Sequence, residues 1–282
     1  MEIIRIPRIM QDTSRGFQLR SRTIGFVPTM GALHEGHLSL VKTAKAENMV
    51  TVVSIYVNPA QFGPSEDFAK YPRRIDADIE KLIKEDVDIL FLPDDSLMYP
   101  EGFATALEVN GLSEKMCGHF RPHHFSGVAT VVAKLLNIVR PARAYFGQKD
   151  FQQTVIIKRM AKDLNLDSEI VVCPTIREED GLALSSRNAY LDTTQRLAAT
   201  ALFRCLTEGS TEIKSGARSG SSIRGTMHRI LTKEPLITGI DYASVYDPET
   251  LDEVDEIEGE SLLAVAVRMG VTRLIDNMLV SL

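Results

Sequence analysis

Short apolar runs alternate with helix-period patterns through the first two-thirds of the chain. The runs at 23–27, 50–57, 87–92, 142–146 and 169–173 have the length and composition of buried strands. Between them, 38–47, 76–85, 127–139 and 151–164 carry apolar residues at helical spacing. Strand–helix alternation of this kind predicts an α/β fold, a parallel sheet with helices on both faces. Ligands of such sheets bind beyond the C-terminal strand ends, where Pro28, Asn58 and Gly147 fall.

After Ser186 the texture changes. Asp192-Thr193-Thr194-Gln195 reads as a capping box that opens one long helix toward Lys214. The glycine- and serine-rich stretch 215–222 reads as a loop, followed by a helix near 223–231. Strands at 240–246 and 262–267 follow, with 273–279 a third. The expected organisation is therefore a Rossmann-like parallel-sheet domain over 1–176 and a smaller α+β domain over 177–282 that acts as a lid.

The length, 282 residues, suits one large domain plus a small one, and the content of 44% hydrophobic and 25% charged residues is that of a globular chain. A net charge of −6 argues against a general nucleic-acid or anionic-membrane binder, while leaving room for a local basic pocket. Three widely spaced cysteines, Cys117, Cys173 and Cys205, imply no disulfide framework. The N-terminus lacks the apolar core of a secretory signal, and the apolar stretches are strand-sized, so the expected location is the cytoplasm.

The densest chemistry lies at 28–37, Pro-Thr-Met-Gly-Ala-Leu-His-Glu-Gly-His, where a strand hands over to a helix. A helix N-terminus offers unpaired N–H groups and a positive dipole end, both attractive to phosphate. His34 and His37 share one side of that first turn and can donate to phosphoryl oxygens, and Gly31 and Gly36 permit close backbone approach. A second junction, Val57-Asn58-Pro59-Ala60-Gln61-Phe62, offers two uncharged amides, Asn58 and Gln61, for a hydroxyl or carboxylate, although Asn-Pro is also common turn chemistry. The third, Phe146-Gly147-Gln148-Lys149-Asp150, places Lys149 for an α-phosphate and Asp150 for ribose hydroxyls, with Gln153 one turn further on. The fourth, Leu184-Ser185-Ser186-Arg187, combines two hydroxyls with a guanidinium in a compact phosphate grip. Cys117, His119, His123 and His124 lack the paired spacing of a zinc site.

The His-x-Gly-His element resembles that of the nucleotidyltransferase superfamily. In order along nearly the whole chain, the segments at 28–37, 57–62, 71–73, 121–125, 146–150, 181–188 and 273–277 resemble the pantoate–β-alanine ligases. The resemblance implies ATP as a substrate, with Met30, Gly31, Ala32, Leu33, His34, Glu35, Gly36 and His37 lining its site. His37 is then the proton donor at the phosphates, beside His34. Gly147, Gln148, Lys149, Asp150, Ile176, Leu184, Ser185, Ser186 and Arg187 would complete the nucleotide site, with Lys149, Ser185 and Arg187 in catalytic roles. Gln61 and Gln153 would hold pantoate, Gln61 also lying near β-alanine, and Asn58, Tyr71, Arg121 and His124 would approach the same side. Mg²⁺ would arrive mainly through the ATP phosphates, its protein ligands being unassigned. A homodimer is implied, with neither nucleic acid nor membrane as partner. The alternatives are another nucleotidyltransferase of the superfamily and a non-catalytic nucleotide binder; the second has against it that His34, His37, Lys149, Ser185 and Arg187 are all present.

Overall fold

The structure, a computed structural model, describes residues 1–64 and 66–282. Its elements begin with β1 (Glu2–Ile4), α1 (Pro7–Gln18), β2 (Ile24–Thr29), α2 (Glu35–Glu47), β3 (Val50–Ile55), α3 (Ile75–Lys84), β4 (Ile89–Phe91) and α4 (Asp95–Met98). They continue with α5 (Cys117–Phe120), α6 (His124–Val139), β5 (Arg143–Gly147), α7 (Phe151–Asp163) and β6 (Glu169–Cys173). The remainder is α8 (Thr193–Ala198), α9 (Ala201–Lys214), α10 (Gly220–Thr232), β7 (Gly239–Tyr246), β8 (Ser261–Met269) and β9 (Thr272–Val280). Two compact units result. The first comprises Met1–Ser113, Arg121–Gly147 and Gln153–Pro174, and the second Glu114–Phe120, Gln148–Gln152 and Thr175–Leu282.

The first unit holds a parallel sheet in the order β1-β4-β3-β2-β5-β6. β2 is central because it is apolar on both faces, and it pairs with β3 (Gly25 opposite Thr51) and β5 (Gly25 opposite Arg143). From β2 the chain steps outward through β3 and β4, then returns to place β5 on the other side of β2. That reversal is the switch point of the sheet, and the C-terminal ends of β2 and β5 flank it. Val27, Val53 and Leu90 from the strands pack with Val41 and Ala44 of α2 and Leu82 of α3. Each large aliphatic side chain buried there contributes about 1.5–3 kcal/mol.

In the second unit, β7-β8-β9 form an antiparallel sheet, Val245 facing Leu263 and Val265 facing Asp276. Leu202, Cys205 and Leu206 of α9 and Ile223 and Met227 of α10 pack with Leu263 and Val265 of the sheet. β9 carries one charge into this layer. Asp276, 2% exposed, accepts two hydrogen bonds from Arg177 at 2.6 and 3.0 Å, and the guanidinium lies 4.7 Å from the Phe203 ring centre.

The parallel sheet and the small α+β arrangement agree with the sequence reading; several boundaries do not. The long helix expected from 192 to 214 is two, α8 and α9. At the step, Thr200 N–H bonds Leu197 O and Leu202 N–H bonds Ala199 O, three-residue bonds that tighten the turn. The expected loop over 215–222 contains the start of α10, capped where Ser219 Oγ accepts from Ser222 N–H. β1 and α1 form where no element was expected. Replacing Asp276 by Ala leaves the largely buried Arg177 without its counter-charge. The expected cost is about 3 kcal/mol, read as a lower urea midpoint at unchanged m-value.

Candidate active site

After β2 the chain turns through two left-handed residues, Gly31 (φ 83°) and Ala32 (φ 50°). A side chain at Gly31 would press on Ile55 Cγ2 at 3.0 Å and Asp78 Oδ2 at 3.1 Å, so glycine is required twice over. Ala32 has no such licence, and its strain is held by the buried Asp78 of α3. That carboxylate accepts from Ala32 N–H (Oδ2, 2.8 Å) and Leu33 N–H (Oδ1, 2.8 Å), while Lys81 Nζ, one turn on, donates to Leu33 O. Two side chains of one helix thus grip three consecutive backbone groups.

The grip delivers His34 as N-cap and His37 as the third residue of α2, earlier than the helix start expected at 38. His34 Nδ1 accepts from Gly36 N–H at 3.2 Å, and His37 Nδ1 from His34 N–H at 3.4 Å. Each Nδ1 is therefore an acceptor, and in the neutral rings the proton sits on Nε2. The ring centres are 4.1 Å apart. This corrects the expectation of bare amides awaiting phosphate. Gly36 N–H is used by an imidazole, His37 N–H by His34 O, and Ala32 and Leu33 N–H by Asp78.

Gln61 ends the short 3₁₀ turn Pro59–Gln61. Its Nε2 lies 3.0 Å from Met30 Sδ, joining this turn to the first, and its Oε1 accepts from Asn58 Nδ2 at 3.2 Å. Asn58 also donates to Gly127 O (3.1 Å) and accepts from Ala60 N–H (3.3 Å) and Tyr99 Oη–H (2.8 Å). All four of its hydrogen-bonding positions have protein partners here, and one of them orients Gln61. The approach of α6 is close enough that a Cβ on Gly127 would sit 2.2 Å from Ala60 O.

Arg121 and His124 also act on Gln61. Arg121 Nη1 lies 3.0 Å from His124 Nε2; the guanidinium can only donate, so that nitrogen accepts. The ring proton is then on Nδ1, which donates to Gln61 O at 2.8 Å. Glu66 completes the set with two bonds to Arg121 at 2.6 Å. Burial alone would raise the Glu66 carboxyl, but the guanidinium outweighs it and holds the group below its ordinary value. Tyr71 is buried with its ring edge-on to Phe62 at 5.9 Å. Gln153 is half-buried on α7, and Gly147 closes β5 beside β2.

In the second unit β9 organises the remaining candidates. Asn277 Nδ2 donates to Gln148 O (3.0 Å) and Lys149 O (2.9 Å), fixing the backbone under the Lys149 and Asp150 side chains. Lys149 Nζ lies 3.8 Å from Asp150 Oδ1. Arg177, held by Asp276, also donates to Asn277 O and Gly181 O. Arg177 opens a hairpin in which Leu184 N–H bonds Ile176 O at 3.0 Å, bringing those two candidates together. Arg196 secures the hairpin tip through Asp180 and Glu178, each at 2.8 Å. Beyond it, Ser185 Oγ caps a 3₁₀ turn by accepting from Arg187 N–H at 3.3 Å, with Ser186 and Arg187 half-buried.

Sequence reasoning took Asp78 as a candidate near metal or β-alanine, not as a holder of backbone, and missed Lys81, Glu66, Gly127, Arg177 and Asn277 as site supports. Asp78 did leave a signal: it occupies the apolar stripe of α3 defined by Ile75, Ile79 and Leu82, where a solvated acid has no place. In Asp78→Asn an NH₂ group faces one of the two backbone donors. Amide exchange at Ala32 or Leu33 should accelerate at least about ten-fold, the loss of one charge-assisted bond, while the β3 amides stay protected; hydrogen exchange checks this.

A family profile described as pantoate-beta-alanine ligase matches residues 2–279. The pantothenate synthetase of Thermodesulfovibrio yellowstonii is 56% identical over 280 residues, covering 99% of this chain and 100% of that protein. The crystal structure of pantothenate synthetase from Thermus thermophilus superposes with a TM-score of 0.93 at 43% identity, covering 99% of both chains. The pantoate-beta-alanine ligase of Francisella tularensis, complexed with beta-gamma ATP and beta-alanine, has a TM-score of 0.79 at 35% identity, covering 99% of this chain and 97% of that one. The motifs, the switch-point sheet and end-to-end similarity of this degree agree: the chain belongs to the pantoate–β-alanine ligase family.

Proposed function

We propose that this chain joins (R)-pantoate to β-alanine, converting ATP to AMP and pyrophosphate through a pantoyl-adenylate. The observation that carries the reading is the pair of Nδ1-capped imidazoles at the switch point, whose Nε2–H groups suit phosphoryl oxygens. A carboxylate does not react with an amine at neutral pH because oxide is a poor leaving group. The pantoate carboxylate instead attacks the α-phosphorus and pyrophosphate departs. The β-alanine amine then attacks the mixed anhydride, and AMP leaves as the amide forms. Charge accumulates on phosphoryl oxygens in the first step, so positioned donors supply most of the catalysis.

In this reading His34 and His37 balance charge on the departing pyrophosphate, His37 as proton donor. Lys149, Ser185, Ser186 and Arg187 serve the α- and β-phosphates. Gly147, Gln148, Asp150, Ile176 and Leu184 receive the nucleoside, and Gln61 and Gln153 receive pantoate. The nucleotide and β-alanine bound to the Francisella relative support it. Among the described residues no group of three or more His, Cys, Asp or Glu side chains is placed to hold a metal ion, and both Asp78 oxygens are engaged by backbone. Mg²⁺ belongs to the reading as the counter-ion that ATP carries.

A homodimer and a cytoplasmic location are part of the same proposal. No helix among the described residues is long and apolar enough to cross a membrane, and the three buried cysteines are unpaired, which fits a reducing compartment. Exchange of labelled pyrophosphate into ATP, with Mg²⁺ and pantoate but no β-alanine, tests the mechanism. Pantoate-dependent exchange is expected, and its absence alongside normal amide formation would rule out a reversible adenylate. His37→Ala and Lys149→Ala should each lower exchange about 100-fold or more with an unchanged circular dichroism spectrum. Near-normal exchange in either variant removes that residue from its role.

A further inference from the structure

Gln61 is a primary amide, and an amide shows a ligand either its oxygen or its N–H groups. The two orientations differ little in shape, so neighbours decide between them. Those neighbours form a chain that starts outside every motif discussed above, at Tyr99. The Tyr99 hydroxyl lies 2.8 Å from Asn58 Oδ1, and Ala60 N–H reaches the same atom at 3.3 Å. Ala60 N–H can only donate, so this atom is the oxygen; Gly127 O, which can only accept, takes one proton of the Asn58 nitrogen at 3.1 Å, and the same nitrogen faces Gln61. That nitrogen can only donate, so Gln61 turns Oε1 toward it (3.2 Å) and its N–H end away, toward Met30 Sδ.

The Tyr99 hydroxyl, a rotor that donates to the oxygen so defined, makes the shortest of the contacts that hold the Asn58 side chain. The Tyr99 ring meets Phe103 edge-on at 5.0 Å, and Lys134 Nζ sits 5.7 Å from its centre and 4.4 Å from that of Phe103. Burial, with the Asp95 charge second, pushes the phenol up to about 12, so Tyr99 keeps its proton through the neutral range and remains a donor.

We propose that Tyr99 is a specificity-determining positioning residue, which acts through Asn58 to fix the Gln61 amide with its N–H end presented to the acid substrate. The proposal rests on the reading that Gln61 meets pantoate. Its consequence is that the group recognised there is an acceptor, a carboxylate or hydroxyl oxygen. Tyr99 touches no substrate itself. Its effect therefore belongs in the pantoate KM and not in the handling of ATP.

The test is a double-mutant cycle of Tyr99→Phe and Gln61→Ala, with KM for pantoate, KM for ATP and kcat measured for each enzyme. Tyr99→Phe keeps the ring and should raise KM for pantoate roughly five-fold, the value of one hydrogen bond, with kcat and KM for ATP within about two-fold. In the Gln61→Ala background the same change should do nothing further. An unchanged pantoate KM in Tyr99→Phe overturns the proposal, as does an equal rise in both backgrounds or a parallel loss for both substrates. Gln61→Ala with unaltered pantoate KM would instead refute the assignment of Gln61 itself. Asn58→Asp tests the relay without touching Tyr99. A carboxylate oxygen then faces Gln61 Oε1, acceptor against acceptor, so the Gln61 amide turns over and KM for pantoate should rise at constant KM for ATP; a constant pantoate KM is contrary to the proposal.

Discussion

One buried carboxylate sets the geometry on which the histidine turn depends. Asp78 accepts from the two amides that follow Gly31, and so stabilises an alanine in a backbone conformation that alanine avoids. Without that left-handed step the chain leaving β2 would not turn sharply enough to begin α2 at Glu35. The helix start in turn decides that His34 is the cap and His37 the third residue, and hence which ring nitrogen bears the proton. A charge on α3 thereby reaches the hydrogen-bonding character of two imidazoles through backbone alone.

The same economy recurs at the other candidate positions. Asn58, Arg121 and His124 have the side chains of ligand-binding residues, yet their polar atoms are directed at Gln61 and its backbone. In the second unit Asn277 and Arg177 hold the peptide groups beneath Lys149 and along the hairpin that leads to Ser185. The few candidate ligand-facing groups rest on a larger shell of hydrogen-bonded polar residues. Such a shell fixes rotamers in advance, so that little ordering remains to be done when substrate arrives.

The strands of the parallel sheet were legible because a strand buried on both faces must be mostly apolar, as at 23–27 and 50–57. The candidate residues stood out because His34, His37, Lys149 and Arg187 are chemically distinctive, the first three at strand–helix junctions. Their supports did not, since their partners are remote in sequence: Asp78 is 46 residues from Ala32, and Asn277 is 128 from Lys149. Local boundaries failed where a side chain decided them. Nothing in the composition marks the step between α8 and α9, which carries neither glycine nor proline. Ser219 turned an apparent flexible loop into a capped helix start. The three residues of β1 are too few to show any period, and they are defined by pairing with β4.

The position of β9 in the chain bears on how the protein is made. Gln148, Lys149 and the hairpin beginning at Arg177 leave the ribosome well before Asp276 and Asn277, the residues that anchor them. Synthesis at roughly 5–20 residues per second separates the two by several seconds. During that interval the parallel sheet can assemble from strands already available, while the loops of the second unit lack their tether. The nascent chain therefore reaches a folded-looking scaffold before the peptide groups at 148–149 and the hairpin beyond Arg177 have their anchors, so the order of the sequence itself makes these loops the last to be fixed.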